Sequence, residues 1–307
     1  MKRLLAPISL ALAISALSIT ACSRNNIEAV NLANEGDQDK KANNIDGAIS
    51  KYEQATNLDP TNHKILGKLA SAYQKKEAWD KVASTCARAE KVAPKFANYY
   101  AQHGHALIKQ AEKGPTGWGD AKQPLEEAIK LDANIADAYF DLGEVQFHGD
   151  DEAAALASYT KAIMTKPDEL SFYAYLADLY KNLNYIDLAE TTLTQALSFA
   201  KEGDKALFNI HSLLGDVYDR KRDLNKALTE YEAAKKSCGQ CNEPGQPIAF
   251  FNLGAAYASV SPPRKSEAIS NLQNFQKIIC KGAAAARYAD QCTQAQQLAT
   301  KLGGTLQ

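Results

Sequence analysis

Apolar and polar positions along this chain keep a helical beat that restarts about every 34 residues. Ala48, Tyr52 and Ala55 fall four and three residues apart, along one face of a helix. Asp59-Pro60 then stops that helix, because proline has no N–H to donate and disfavours helical geometry in the residue before it. The arrangement returns as Ala155, Tyr159, Ala162 and Pro167, and again as Ala227, Tyr231 and Ala234. In register, the chain reads as about seven helical hairpins, near 29–62, 63–96, 97–135, 136–169, 170–207, 208–246 and 247–280. The first helix of each has a small residue at its eighth place: Gly36, Ala70, Gly104, Gly143, Ala177, Gly215 and Gly254. The second helix carries Ala48, Val82, Ala121, Ala155, Ala189, Ala227 and Ala268. Seven places further on come Ala55, Ala89, Ala128, Ala162, Ala196 and Ala234, with Phe275 breaking the series. Small residues at fixed places let helices approach closely, while neighbours such as Leu69 with Tyr73 and Leu176 with Tyr180 fill the grooves.

These residues resemble those of tetratricopeptide repeat (TPR) proteins, over about 29–277. The resemblance implies an all-α fold, a right-handed α-solenoid of helix-turn-helix units with a concave face lined by the first helices. Projected onto this chain, that face presents His105 and Ile108, then Phe140, Glu144 and Phe147. Asp178 with Lys181, Asp216 with Asp219, and Ile248 with Phe251 continue it. An acidic middle flanked by apolar patches calls for a protein or peptide partner with basic or apolar side chains. Some departures from the pattern stand out. Cys86 replaces an aromatic, Ala133 and Lys201 replace closing prolines, and Glu35 sits where a large apolar residue usually precedes Gly36. The first hairpin is therefore expected to act partly as a cap. An amphipathic helix over 283–302, within a tail of 281–307, is expected to close the other end. Insertions at 112–120, around 200–204 and at 237–246 map to loops, where function concentrates. Trp118, in the first of them, is expected either to cover the gap between neighbouring helices or to anchor a partner.

The N-terminus follows a different pattern. Lys2 and Arg3 precede an apolar run over 4–19, and Ile19-Thr20-Ala21-Cys22 closes it. Residues 1–21 read as a secretory signal. The closing tetrapeptide resembles the bacterial lipobox, which implies cleavage before Cys22, acylation of Cys22 and anchoring in a lipid bilayer. Ser23, in place of Asp, implies the outer membrane. Residues 22–28 then form a short tether, Ser23 to Asn26 spanning on the order of 15 Å if extended. Lipobox and repeats together are similar to the pilotin lipoproteins of type IV pilus secretins and to repeat lipoproteins of gliding motility and outer-membrane assembly. Such a chain is expected to act as an interaction scaffold or assembly factor of an envelope complex, facing the periplasm.

Charge and chemistry sharpen this reading. The formal net charge of 307 residues is −1, so no basic field points to nucleic acid. No phosphate-binding loop, nucleophile elbow or HExxH motif is present, so neither an enzyme nor a cofactor is expected. His103-Gly104-His105 places two imidazoles about 160° apart on a helix, poor geometry for a metal, with one ring toward the core and one toward the groove. Cys86 falls at an inward place and reads as a buried free thiol. Cys238, Cys241, Cys280 and Cys292 fit periplasmic disulfides. Proximity favours Cys238–Cys241 and Cys280–Cys292. An uninterrupted cap helix would hold Cys292 roughly 13 Å from Cys280, an objection to the second pair that leaves a staple between the two loops as the alternative. A thiol–disulfide activity of Cys238 and Cys241 is the alternative function.

Overall fold

The computed structural model describes residues 9–114, 117–282 and 284–304, with side chains from residue 24 onward. Every regular element among the described residues is helical. Backbone contacts divide the chain between 158 and 159 into two compact bodies. In the N-terminal body the hairpins are α1 (Ser9–Lys41) with α2 (Ile45–Leu58), and α3 (His63–Lys75) with α4 (Trp79–Val92). The next is α5 (Ala97–Ala111) with α6 (Lys122–Leu131), followed by α7 (Ala136–His148). α8 (Glu152–Thr165) carries the chain across the division. In the C-terminal body α9 (Leu170–Asn182) pairs with α10 (Ile186–Leu197) and α11 (Leu207–Arg220) with α12 (Leu224–Cys238). α13 (Ile248–Ser259) pairs with α14 (Lys265–Phe275), and α15 (Ala289–Lys301) ends the fold.

The small eighth-place residues show why the hairpins close. A Cβ on Gly36 would come within 2.7 Å of Tyr52, on Gly104 within 2.5 Å of Leu125, on Gly215 within 2.4 Å of Tyr231 and on Gly254 within 2.6 Å of Leu272. The first helix therefore leans directly on a large side chain of its own partner, and the surrounding alanines, Ala48, Ala55, Ala121, Ala128, Ala227 and Ala268, are buried. The turn between the two helices repeats as well. Asn43, Glu77, Asp150, Asn184 and Arg222 each adopt positive φ between 53° and 64° at the same point of their hairpins. Asparagine and aspartate tolerate this region best, through local hydrogen bonding by their short side chains. Asn44 and Asp223 follow two of these turns as helix caps, their side chains accepting from the amides of Gly47 and Lys226.

Three expectations change. Residues 24–28 are not an extended tether but part of α1, since neither proline nor glycine interrupts the chain between Cys22 and Gly36. The insertion at 112–120 contributes a regular element: Trp118–Ala121 forms a short 3-10 turn that leads into α6. The cap helix starts at Ala289, not 283, after a 3-10 turn at Ala285–Tyr288. That late start places Cys292 on the first turn of α15, with Cα 5.7 Å from that of Cys280, and the two form a disulfide. The distance objection fails because the chain does not simply reverse at Gly282 into helix. Cys238 and Cys241 form the second disulfide, so the loops are not stapled to each other. Among the described side chains Cys86 is the free cysteine, fully buried, with burial pushing its thiol up to about 12. Of the signal over 1–21, residues 1–8 lie outside the described residues and 9–21 belong to α1, and the side chain of Cys22 lies outside the described side chains.

Candidate interaction site

The projected surface residues divide between the two bodies. In the N-terminal body, His105, Phe140, Glu144 and Phe147 are partly exposed. Ile108 is not on the surface: it is 2% exposed, packed with Ala121, Leu125 and Val145. The ordered turn of the insertion covers it, and the ring of Trp118 joins the same cluster. Trp118 itself stacks on His148 at 3.6 Å between centroids, so it covers neighbouring helices instead of projecting as an anchor. The two histidines of α5 each face a carboxylate of another helix. His103 Nδ1 lies 2.8 Å from Glu90 and His105 Nδ1 lies 3.0 Å from Asp141, and no group of three potential metal ligands converges among the described residues. His105 faces outward yet holds the buried Asp141 of α7, a contact whose acceptor raises the imidazole above its ordinary pKa.

The C-terminal body carries a cavity over its first helices. The first helices α9, α11 and α13 line a concave pocket of about 870 Å³. Asp178, Asp216, Ile248 and Phe251, all projected onto this face, meet there. Lys181 lies against the same carboxylates, 2.7 Å from Asp178 and 3.4 Å from Asp216, with its side chain 12% exposed. The Tyr231 hydroxyl donates to the other oxygen of Asp216 at 2.8 Å, and burial together with this carboxylate raises the phenol. Arg220 donates to the Lys181 carbonyl at 3.0 Å. Asp219, one turn beyond Asp216, is exposed and does not line the pocket. Phe251 rests against Phe275, with ring centroids 5.4 Å apart.

Sequence reasoning missed part of this lining. Tyr175, Asn209, Ser212, Leu213 and Asn252 also face the pocket. Within their hairpins they occupy the second, fifth and sixth places, as Ile248 and Phe251 do, whereas the projection drew mostly on the ninth and twelfth. The pattern of places was available; its extension to the first turn of each helix would have found them. The loops at 204–206 and 243–246 and Gln291 of the cap supply further parts of the wall. Two of these stand close to disulfides, Glu243 two residues after Cys241 and Gln291 beside Cys292.

The disulfide of the 237–246 loop is poorly placed for exchange chemistry. Cys238 ends α12, where the helix dipole disfavours a thiolate, and Cys241 is fully buried. Reactive CxxC pairs take the opposite position, exposed at a helix N-terminus.

Comparison with known proteins agrees with this architecture. Residues 170–202 match the family model described as tetratricopeptide repeat. The chain is 24% identical over 245 residues to cellulose synthase operon protein C of Xanthomonas axonopodis pv. citri (strain 306), a match covering 78% of this chain and 16% of the relative. It thus spans under a fifth of that protein. PilW, described as a widely conserved type IV pilus biogenesis factor, superposes with a TM-score of 0.58 at 13% identity, covering 74% of this chain and 97% of PilW. PilF of Pseudomonas aeruginosa superposes with a TM-score of 0.56 at 16% identity, covering 69% and 92%. The fold is that of the TPR solenoids, a protein-interaction architecture.

Proposed function

We propose that this TPR chain is an outer-membrane lipoprotein, anchored through acylated Cys22, that holds a segment of another envelope protein and so helps assemble an envelope machine. The observation that carries the reading is the pocket over α9, α11 and α13, where three successive hairpins converge on one cavity. Support for the setting comes from the lipobox-like Ile19-Thr20-Ala21-Cys22, from two disulfides that suit an oxidising compartment, and from the likeness to proteins named for pilus biogenesis. Fold-level likeness bears on architecture more than on partner, so the choice among pilus, secretion and motility machinery falls to experiment. A photoreactive residue placed at Asn209, in living cells, is expected to crosslink to one segment of an envelope protein. The same residue at Phe147 tests the N-terminal face, and at Glu126, exposed on a second helix, it gives the background. Adducts no more abundant from Asn209 and Phe147 than from Glu126 would remove the scaffold assignment.

A further inference from the structure

Resting on that interaction reading, we propose that the C-terminal pocket takes an extended protein segment in which a lysine or arginine stands beside a bulky apolar residue. Charge is the first argument. Five carboxylates line the cavity, those of Glu169, Asp178, Asp204, Asp216 and Glu243, against the single ammonium of Lys205. Internal pairing reduces this excess without removing it. Asp178 and Asp216 share Lys181, Glu243 has Lys205 at 3.7 Å, and Glu169 has Lys166 at 2.8 Å, while Asp204 is spent on the amide of its own loop. An anionic ligand would meet net repulsion here, and a cation would bring a second positive charge to carboxylates that now share one.

The surface between these charges is apolar. Leu213, Ile248, Phe251 and the buried edge of Phe208 form a floor on which an aliphatic or aromatic side chain would shed water. Amide groups cross the same floor. Asn209, Asn252 and Gln291 each offer one donor pair and one acceptor, the combination an extended backbone needs and a lone metal or polyamine does not, whereas the Gln246 amide is spent on Glu243 of its own loop. Size agrees: about 870 Å³ is near the upper end of ligand cavities, and three helix widths of roughly 9 Å accommodate about eight extended residues, room enough for a hexapeptide.

The test uses the full chain in detergent and two labelled hexapeptides, one with Arg and Lys flanking a Leu-Phe pair and one with Glu at both charged places. Fluorescence anisotropy is expected to show the cationic peptide binding at least about tenfold more tightly, with affinity falling as salt rises. A third peptide keeping Arg and Lys but with Gly-Gly in the middle should bind weakly. D178N combined with D216N is expected to lose about tenfold, and E243Q, on the exposed loop and away from the Lys181 network, about twofold to threefold. Equal binding of the acidic peptide, equal binding of the glycine peptide, or E243Q matching wild type while the double variant merely fails to fold would each overturn the proposal. Crosslinking separates this failure from that of the wider reading. A partner captured at Phe147 but not at Asn209 would refute the pocket and leave the scaffold role standing. One captured at Asn209 through a segment lacking Lys or Arg would refute the stated chemistry alone.

Discussion

His105 and Asp141 join the first helices of two successive hairpins through a single hydrogen bond of 3.0 Å. Asp141 is 5% exposed, and burial raises its carboxyl while the imidazole raises in turn through the carboxylate it faces. Lys109, Glu112 and Asp137 are the other charges acting on the pair. The folded imidazole titrates above its ordinary 6.5, so its contribution is complete below that value and disappears as pH rises through the higher folded one. Above that range a neutral His105 leaves Asp141 as a buried, unscreened charge, which adds to the loss. Chemical denaturation at several pH values should therefore find the N-terminal body most stable under mildly acidic conditions. H105Q should flatten the profile and lower stability by about 1 kcal/mol, toward the low end for charged hydrogen bonds because the imidazole is a third exposed. A wild-type profile already flat from mild acid to mild base would refute the linkage. The histidines show what single residues disclose in advance. Their poor metal geometry follows from spacing on a helix, yet the carboxylate that holds each comes from a different helix, and only packing reveals it. Ile108 misled for the same reason, since the turn that buries it belongs to an insertion with no periodicity to read.

Elements were more legible than residues where they repeat, and less where they do not. Hairpin after hairpin follows from small residues at fixed places, because each must admit one particular large side chain: Tyr52, Leu125, Tyr231 or Leu272. The cap has no such register. α15 buries chiefly Ala295 and Ala299, with Leu298 partly covered, so it gains little from apolar contact. The Cys280–Cys292 disulfide is therefore expected to add substantially to the hold that α13 and α14 have on α15. Closing a loop of this length is worth about 3 kcal/mol in unfolded-chain entropy. Replacing both cysteines by serine should reduce stability by up to that amount and expose the amides of α15 to rapid hydrogen exchange, while those of α3 to α6 keep their protection. The pocket would lose its Gln291 wall at the same time, and affinity for the cationic peptide should fall with it. Unchanged protection of α15 in the serine variant would show that packing alone retains the cap.

For the whole molecule the question is what holds it at a membrane. Among the described residues no helix is long and apolar enough to cross a bilayer. On the reading proposed above, attachment then depends on the acyl chains of Cys22, each buried methylene contributing about 0.8 kcal/mol. A single chain gives only reversible binding, whereas two or more keep the protein in place. C22S is therefore expected to abolish incorporation of an alkyne-labelled palmitate and to leave the leader uncleaved. The second position after cleavage supplies a finer test. S23D should redirect the acylated chain from the outer to the inner membrane without changing its acylation, so that sucrose-gradient fractions separate the two variants while palmitate labelling does not. α1 sharpens the spatial side of this argument. Because residues 24–28 are helical, they advance about 1.5 Å each instead of the roughly 3.4 Å of an extended tether. The first hairpin then stands within a few ångströms of the headgroups, near enough for lipid-phase crosslinkers to label Ile27 and Val30, both exposed on α1. Labelling of Ile27 and Val30 in wild type, but not in a form that lacks Cys22 and is exported by a cleavable leader, is the expected outcome. Palmitate labelling absent from wild type, or S23D remaining in the outer-membrane fraction, would refute the anchor or its address respectively.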